Sequence, residues 1–164
     1  MTQDAETDFI EGMGLVFQGD GMPRIAGRLL GLFVLHGGPF SFAQLAARLE
    51  ISRGSVSTNT RLLEDLGVIE RVAIRGERQD FFRLAADPYA EIAERKRVRS
   101  LRAREAILRN AERLEDVGPD GMARVGDLAN FFEVLTHAAE LALERLNGDG
   151  KSAPVRTTPP IAAE

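Results

Sequence analysis

The stretch that decides the fold runs from Ser41 to Leu84 and reads SFAQLAARLEISRGSVSTNTRLLEDLGVIERVAIRGERQDFFRL. It predicts two short helices followed by a two-stranded ribbon. Ser41 starts the first helix, because its hydroxyl can accept a hydrogen bond from the backbone N–H of Gln44 while the Gln44 side chain reaches back. The apolar residues that follow recur at the spacing of one helix face, and they are Phe42, Leu45, Ala46 and Leu49.

The second predicted helix, Arg53–Leu66, has two chemically different faces. Ser52 can cap its start, and Gly67 can end it in the left-handed conformation. One face is small, hydroxylated and cationic, which suits contacts with phosphates and base edges in the major groove of DNA. An ordinary solvated helix face has the same composition, so this helix alone leaves both interpretations open. The apolar face holds Val56, Thr60, Leu63 and Leu66, and the polar face holds Gly54, Ser57, Thr58 and Arg61.

Two strand-like segments predict a β-hairpin directly after the second helix. Val68–Ile74 is rich in β-branched residues, and Gln79–Leu84 returns as the second strand. The turn between them contains Gly76, which tolerates a positive φ, with Arg75 and Arg78 on either side. A hairpin tipped with arginines in this place is typical of a wing that reaches a minor groove or clamps phosphates. The alternative is an ordinary hairpin with solvated arginines.

The order of these elements resembles the MarR-type winged-helix regulators, on the motifs SRGSVS (52–57), LLEDLGVIERV (62–72) and GERQDFF (76–82). Upstream, GMPRIAGRLLG (21–31) is similar to the GbsR-like branch, in which a helix of this kind precedes the DNA-reading head. The sequence departs from the family pattern at Thr60, where MarR-like proteins usually have Leu. The resemblance implies a mainly α fold with a small β-hairpin wing: a winged helix-turn-helix with N- and C-terminal dimerisation helices.

The chain is expected to divide into four parts. Residues 1–22 form an acidic N-terminal arm and a short helix, and residues 23–86 form the winged helix-turn-helix DNA-binding domain. Residues 87–147 form a helical dimerisation region. Residues 148–164 are rich in Gly, Pro, Thr and Ala, and this composition predicts a disordered tail.

Charge is distributed unevenly along the 164 residues, within a net charge of −4. The net charge is −5 over residues 1–22, +3 over 23–85, +1 over 86–116 and −3 over 117–164. The positive part coincides with the predicted reading head. Because the local field matters more than the total charge, this distribution is compatible with a nucleic-acid partner.

Four further helices are predicted around the reading head. In one of them Gly27 and Gly31 are four residues apart, a spacing that permits close packing against the core or a dimer partner. Arg24 and Arg28 are expected to pair with a neighbouring acid or to be solvated rather than to contact phosphate. The basic run Arg95–Arg104 is expected to be a solvated face with glutamate partners rather than a DNA patch. The helices span about Asp8–Gln18, Pro23–His36, Asp87–Glu115 and Met122–Leu146, with a turn at Gly118–Gly121 before the last.

The sequence shows no constellation of residues for catalysis. His36 and His137 are far apart and lack neighbouring ligands, so each is expected on a helix face or in the core. Gly12-Met-Gly14 lacks the strand–turn–helix setting of a nucleotide loop. We therefore expect no enzyme activity, no catalytic residue, no metal and no cofactor. The chain has no cysteine, no apolar run of membrane-spanning length and no signal-like N-terminus, which favours a cytoplasmic protein without a membrane partner.

The sequence therefore predicts a sequence-specific DNA-binding transcriptional regulator, in the form of a homodimeric repressor that responds to a small effector. Some GbsR-like proteins respond to choline, but with one Tyr and no Trp an aromatic cage is poorly supported, and a hydrophobic pocket beside the dimer helices is the alternative. The rival interpretation is a winged-helix adaptor that binds a protein instead of double-stranded DNA. The mildly basic outer face favours DNA. The residues expected to contact DNA are Arg53, Gly54, Ser55, Ser57, Thr58, Arg61, Arg75 and Arg78.

Overall fold

The structure is a computed structural model that describes residues 3–148. The chain divides between residues 96 and 97 into two compact units, and each is described by itself. None of the described helices is long and apolar enough to cross a membrane. In chain order the elements are α1 (Gln3–Gly19), α2 (Arg24–His36), β1 (Phe40–Ser41), α3 (Phe42–Leu49), α4 (Arg53–Leu66), β2 (Ile69–Val72), β3 (Phe81–Leu84), α5 (Pro88–Ala111) and α6 (Pro119–Asn147).

The first helix, α1, begins at Gln3 and not at Asp8, so the expectation of a short helix after frayed residues was wrong from residue 3 onwards. Asp4 and Glu6 lie in its first turn, where carboxylates are favourable next to the exposed N–H groups and the positive end of the helix dipole. The sequence prediction gave too much weight to Gly12, which lies inside the helix. Side-chain packing against α2 outweighs the low helix propensity of glycine.

Helices α1 and α2 pack closely at Gly27 and Gly31, which confirms the packing prediction and identifies α1 as the partner. A Cβ atom on Gly27 would lie 2.8 Å from Cβ of Phe17 and 2.9 Å from Cα of Gly14. A Cβ atom on Gly31 would lie 3.2 Å from Cα of Ile10. The two backbones are therefore too close for any larger residue at these positions.

The helix boundaries of the reading head agree with the sequence prediction. The Ser41 hydroxyl accepts a hydrogen bond from the Gln44 N–H at 3.3 Å, and the Gln44 side chain accepts one from the Ser41 N–H at 2.8 Å. Ser52 caps α4, because its hydroxyl oxygen accepts from the N–H of Ser55 at 3.1 Å. Gly67 ends α4 with φ +77°, in the left-handed region. The predicted capping box, cap and stop are all confirmed.

The sheet has three strands in the order β1–β3–β2, so the two-stranded ribbon was an incomplete prediction. β3 pairs antiparallel with β2, in the register Val72 opposite Phe81 and Ile69 opposite Leu84. Its other edge pairs with β1, which places Phe40 opposite Phe82. β1 has only two residues, too few for a visible alternation, and it forms only because β3 offers a free edge. The predicted strands were also too long, because pairing ends at Val72 and begins again at Phe81.

The core of the first unit joins α2, α3, α4 and the sheet. Thr60, the departure from the family pattern, is buried at 1% exposure, and its hydroxyl donates to the carbonyl oxygen of Val56 at 2.8 Å. A polar residue is thereby accommodated without an unpaired donor. The fully buried apolar side chains include Leu29, Leu32, Phe33, Leu45, Val56, Leu63, Val68 and Phe82.

The second unit contains α6 and the part of α5 that follows residue 96. The final helix begins at Pro119 and not at Met122, because proline suits the first helical position, where no N–H is needed. The predicted turn is therefore partly helical, and α5 ends earlier than expected, at Ala111. Arg104 and Glu133 form an ion pair of 3.3 Å. Residues 149–164 of the predicted tail lie outside the described residues.

Candidate nucleic-acid interface

The outer face of α4 presents the side chains that the sequence analysis selected. Arg53, Ser57, Thr58 and Arg61 are exposed, and the backbone at Gly54 is open to solvent. A Cβ atom on Gly54 would meet only the Ser52 hydroxyl, at 3.8 Å. This face can approach a surface closely along the first two turns of the helix.

Ser55 differs from the other selected residues of α4. It is half-buried, and its hydroxyl oxygen accepts a hydrogen bond of 3.0 Å from the Ser52 hydroxyl. Its carbonyl oxygen accepts a second bond, from the amide of Asn59 at 2.8 Å. Ser55 therefore belongs to the cap of α4 as well as to the edge of its outer face.

The wing tip is a tight turn between β2 and β3. The N–H of Glu77 donates to the carbonyl oxygen of Ile74 at 3.0 Å, and Gly76 has φ +89°, so the turn uses the positive φ that glycine tolerates. Arg75 and Arg78 are both exposed at this tip. The predicted turn with arginines on either side is thus present.

The arginines of the reading head separate into two groups by their partners. Arg24 and Arg28 both pair with Glu11, at 2.7 and 2.6 Å, which confirms the expectation of ion pairs. Within the described residues, none of the four arginines selected as DNA contacts forms a hydrogen bond or an ion pair. Of the others, Arg48 lies over the ring of Phe40, Arg71 pairs with Glu64 and Asp80, and Arg83 pairs with Glu70; the unpaired four are Arg53, Arg61, Arg75 and Arg78.

This separation matters for the electrostatics of the surface. An arginine that already pairs with a carboxylate adds little positive field, whereas an unpaired, exposed guanidinium is available to an external phosphate. The unpaired arginines lie on α4 and the wing, which follow one another directly in the chain. The net charge of +3 over residues 23–85 is thus concentrated on the predicted contact surface.

Two structural contacts next to this surface had no signal in the sequence. Arg71 joins the wing to α4 through Glu64, at 3.4 Å. Arg95 donates from Nη1 to the carbonyl oxygen of Asp65 in the last turn of α4, at 2.9 Å. The residues are seven and thirty positions apart, outside any helical or strand spacing, so no local pattern could have revealed them.

The remaining basic and histidine side chains follow the less specific of the two interpretations. Arg95 pairs with Glu91 at 3.7 Å, as expected of a helix face with glutamate partners. His36 lies 2.7 Å from a carboxylate oxygen of Glu6. Among residues 3–148, no three or more histidine and carboxylate side chains are grouped so that they could hold a metal ion.

Comparison with known proteins agrees with this geometry. Residues 20–79 match the family model described as MarR family. The chain is 39% identical over 121 residues to the HTH-type transcriptional regulator MmpR5 of Mycobacterium tuberculosis (strain ATCC 25618 / H37Rv), which covers 73% of this chain and 67% of that one. It is 29% identical over 87 residues to the "Putative HTH-type transcriptional regulator YvaV" of Bacillus subtilis (strain 168), covering 53% and 49%.

A solved structure supports the same assignment. The crystal structure of a transcriptional regulator matches with a TM-score of 0.78 and 29% sequence identity, over 86% of this chain and 97% of that chain. These relatives are described as transcriptional regulators and not as enzymes, and they do not favour the adaptor interpretation. The chain belongs to the MarR family and is a DNA-binding transcriptional regulator with a winged helix-turn-helix fold.

Proposed function

We propose that the protein reads DNA through the outer face of α4 and the wing, as one half of a homodimer that represses transcription. The observation that carries this proposal is the set of exposed arginines without an internal partner: Arg53 and Arg61 on α4, and Arg75 and Arg78 on the wing. Phosphate contacts supply most of the affinity of such proteins and require free cationic side chains.

In this mechanism α4 enters the major groove with its N-terminal turns first. Arg61 contacts a base edge or a phosphate, and Arg53 contacts a phosphate at the start of the helix. Ser57 and Thr58 supply short hydroxyl groups, and Gly54 lets the helix backbone come close to the DNA. Ser55 lies at the edge of this contact.

The wing provides the flanking contact. Arg75 and Arg78 lie at the tip of the hairpin, and we place them against an adjacent minor groove or its phosphates. Because both are solvated in the free protein, they lose side-chain freedom on binding. The hairpin reduces that loss by presenting both from a short, closed turn.

Exposed apolar side chains support the homodimer. Within the second unit, Phe131 and Val134 of α6 are 55% and 57% exposed, and Leu128 and Leu141 are exposed to a similar extent. Such a face on one helix is unusual for a monomer. A symmetric dimer would cover it and would present two reading heads about 34 Å apart, one turn of DNA. Phe131→Glu is expected to convert the dimer to a monomer in sedimentation velocity, and an unchanged dimer would contradict this interface.

The GbsR-like branch and a small effector are the finer parts of the proposal. A cleft of about 350 Å³ lies beside the end of α4, and Glu70, Asp87, Glu91 and Arg95 line it. Carboxylates favour a cation such as choline, although no aromatic side chain is among the lining residues. If choline binds the folded protein, it should raise the thermal midpoint in a concentration-dependent way and weaken DNA binding. No shift at tens of millimolar, compared with sodium chloride at equal ionic strength, would exclude choline.

The test of the whole proposal is binding to a fluorescent duplex that covers the region upstream of the protein's own gene. We expect saturable binding that resists competitor DNA and weakens steeply with salt, and the log–log slope gives the number of phosphate contacts. Repression then follows if bound protein blocks transcription from the same fragment. Binding no tighter than to random DNA, with and without effector, would reject the proposed target. A role on promoter DNA would place the protein in the cytoplasm.

A further inference from the structure

Arg71, in the middle of β2, contacts three different parts of the reading head. Its Nε and Nη2 atoms donate to the two carboxylate oxygens of Glu64, each at 3.4 Å, and Glu64 lies near the end of α4. Its Nη1 atom donates to Asp80 at 3.0 Å, just before β3. The guanidinium carbon lies 5.5 Å from the ring centre of Phe82 on the neighbouring strand. One side chain therefore joins the recognition helix to both strands of the wing.

The planar guanidinium suits this task. Arginine can donate to two carboxylates in one plane and still rest on an aromatic ring, which lysine cannot do. The hydrogen bond to Glu64, and the charges of Glu64 and Asp80, raise the pKa of Arg71 above its ordinary value. Two carboxylates surround one cation, so Arg71 is already neutralised and is a poor contact for phosphate.

The other arginines of the hairpin differ from Arg71 in a way that separates two roles. Arg75 and Arg78, at the tip, have no partner within the described residues. Arg83 on β3 pairs with Glu70 on β2 at 2.6 Å, a contact inside the hairpin that does not reach α4. In the part of the chain that the structure describes, Arg71 is the hairpin arginine with an ion pair to α4.

We infer that Arg71 is a positioning residue, which sets the wing against α4 so that Arg75 and Arg78 meet the DNA while α4 is in the major groove. It does this through Glu64 and Asp80 and does not contact DNA itself. The inference rests on the proposed contacts of the wing arginines. Exposed ion pairs contribute little to folding stability, so the purpose of this cluster is orientation.

A first test exploits opposite electrostatic signs. Glu64→Gln removes a negative charge from the DNA-facing domain, so long-range attraction alone predicts tighter binding to the upstream duplex. Positioning predicts weaker binding, because the fork of Arg71 loses its partner on α4. Glu77→Gln, which removes a carboxylate at the wing tip, is the matched control and should tighten binding slightly. Tighter binding of both variants would overturn the inference.

The decisive experiment is a double-mutant cycle on the full chain, with fluorescence anisotropy and the upstream duplex at fixed salt. In the parent, Arg71→Met is expected to weaken binding about tenfold, as for residues that act through a shared element. In the Arg75→Ala/Arg78→Ala background it should have no further effect, because there is no wing contact left to position. Arg83→Met should change neither background. The thermal midpoint of each variant checks that folding is retained.

The conservative variant Arg71→Lys separates a direct contact from positioning. A lysine can replace an arginine that holds a phosphate, but it cannot make the forked contact to Glu64, so positioning predicts that it binds as weakly as Arg71→Met. The inference is overturned if Arg71→Lys restores parental affinity, or if Arg71→Met costs the same factor in both backgrounds. It is also overturned if Arg71→Met is silent while Arg75→Ala/Arg78→Ala weakens binding. If Arg75→Ala/Arg78→Ala itself binds as the parent does, the proposed wing contact fails and the inference with it.

Discussion

The Nη1 atom of Arg95 lies 2.9 Å from the carbonyl oxygen of Asp65, so a side chain of α5 donates to the last turn of α4. Carbonyl groups at a helix end lack intrahelical partners, and a cation there is favourable for the helix dipole. Gly67 makes this contact possible, because a Cβ atom at this position would lie 2.5 Å from Nε of Arg95. The end of the recognition helix is therefore fixed by residues outside the helix-turn-helix.

Gly67→Ala tests how much this close approach matters. Gly67 combines φ +77° with contact to Arg95, so we expect a loss of about 2–3 kcal/mol in the free energy of unfolding, measured by urea denaturation. Gly76→Ala is the matched control, since Gly76 has φ +89° and no atom within 4 Å of a Cβ. It should lose only about 1 kcal/mol. Equal losses would show that backbone strain alone explains the glycine at position 67.

Gly27→Ala tests the packing of α1 on α2. Its Cβ would meet the carbonyl oxygen of Met13 and lie 2.9 Å from Cα of Gly14, both of which are backbone atoms that cannot move aside. We expect a loss of about 3 kcal/mol or separation of α1, seen as a lower thermal midpoint. Gly12→Ala, where a Cβ meets nothing within 4 Å, should stabilise the protein by about 0.5–1 kcal/mol. A neutral Gly27→Ala would contradict the close packing.

Arg61→Ala tests the proposed reading of DNA by α4. If Arg61 contacts a base, the substitution should cost about 1–3 kcal/mol in binding free energy and relax sequence preference at one position. If it contacts only phosphate, the salt slope should fall by about one while preference stays the same. Arg124→Ala, on α6 and outside the reading head, serves as the control. Unchanged affinity, preference and salt slope for Arg61→Ala would remove this residue from the interface.

Acid stability should depend on Glu11. The hydrogen bond from Arg24, and the charge of Arg28, hold the pKa of this carboxyl below its usual 4.5 in the folded protein, although partial burial opposes the shift. Protonation therefore favours the unfolded chain, so the stabilisation is complete above about pH 4.5 and is lost as pH falls through the lowered value. Glu11→Gln should be less stable than the parent at neutral pH, and the difference should shrink in acid. A difference that is independent of pH would contradict this.

The sequence by itself determined the local structure of the reading head. The caps at Ser41 and Ser52 and the stop at Gly67 depend on side chains bonding to backbone groups a few residues away, so their signals are short and readable. The bounds of α4 and the exposure of the arginines on α4 and the wing follow from the same local spacing. Family resemblance and charge distribution then led to a DNA-binding regulator.

The tertiary structure decided what depends on partners distant in sequence. β1 exists because β3 offers it an edge, and α1 extends to Gln3 because α2 supports it at Gly27 and Gly31. The contacts of Arg71 with Glu64, and of Arg95 with Asp65, join elements that no periodicity connects. Local hydrogen bonds and helical spacing are written along the chain, whereas a close approach between two elements depends on how the whole core packs. Only the folded structure could therefore show which arginines are already paired and which are free to bind DNA.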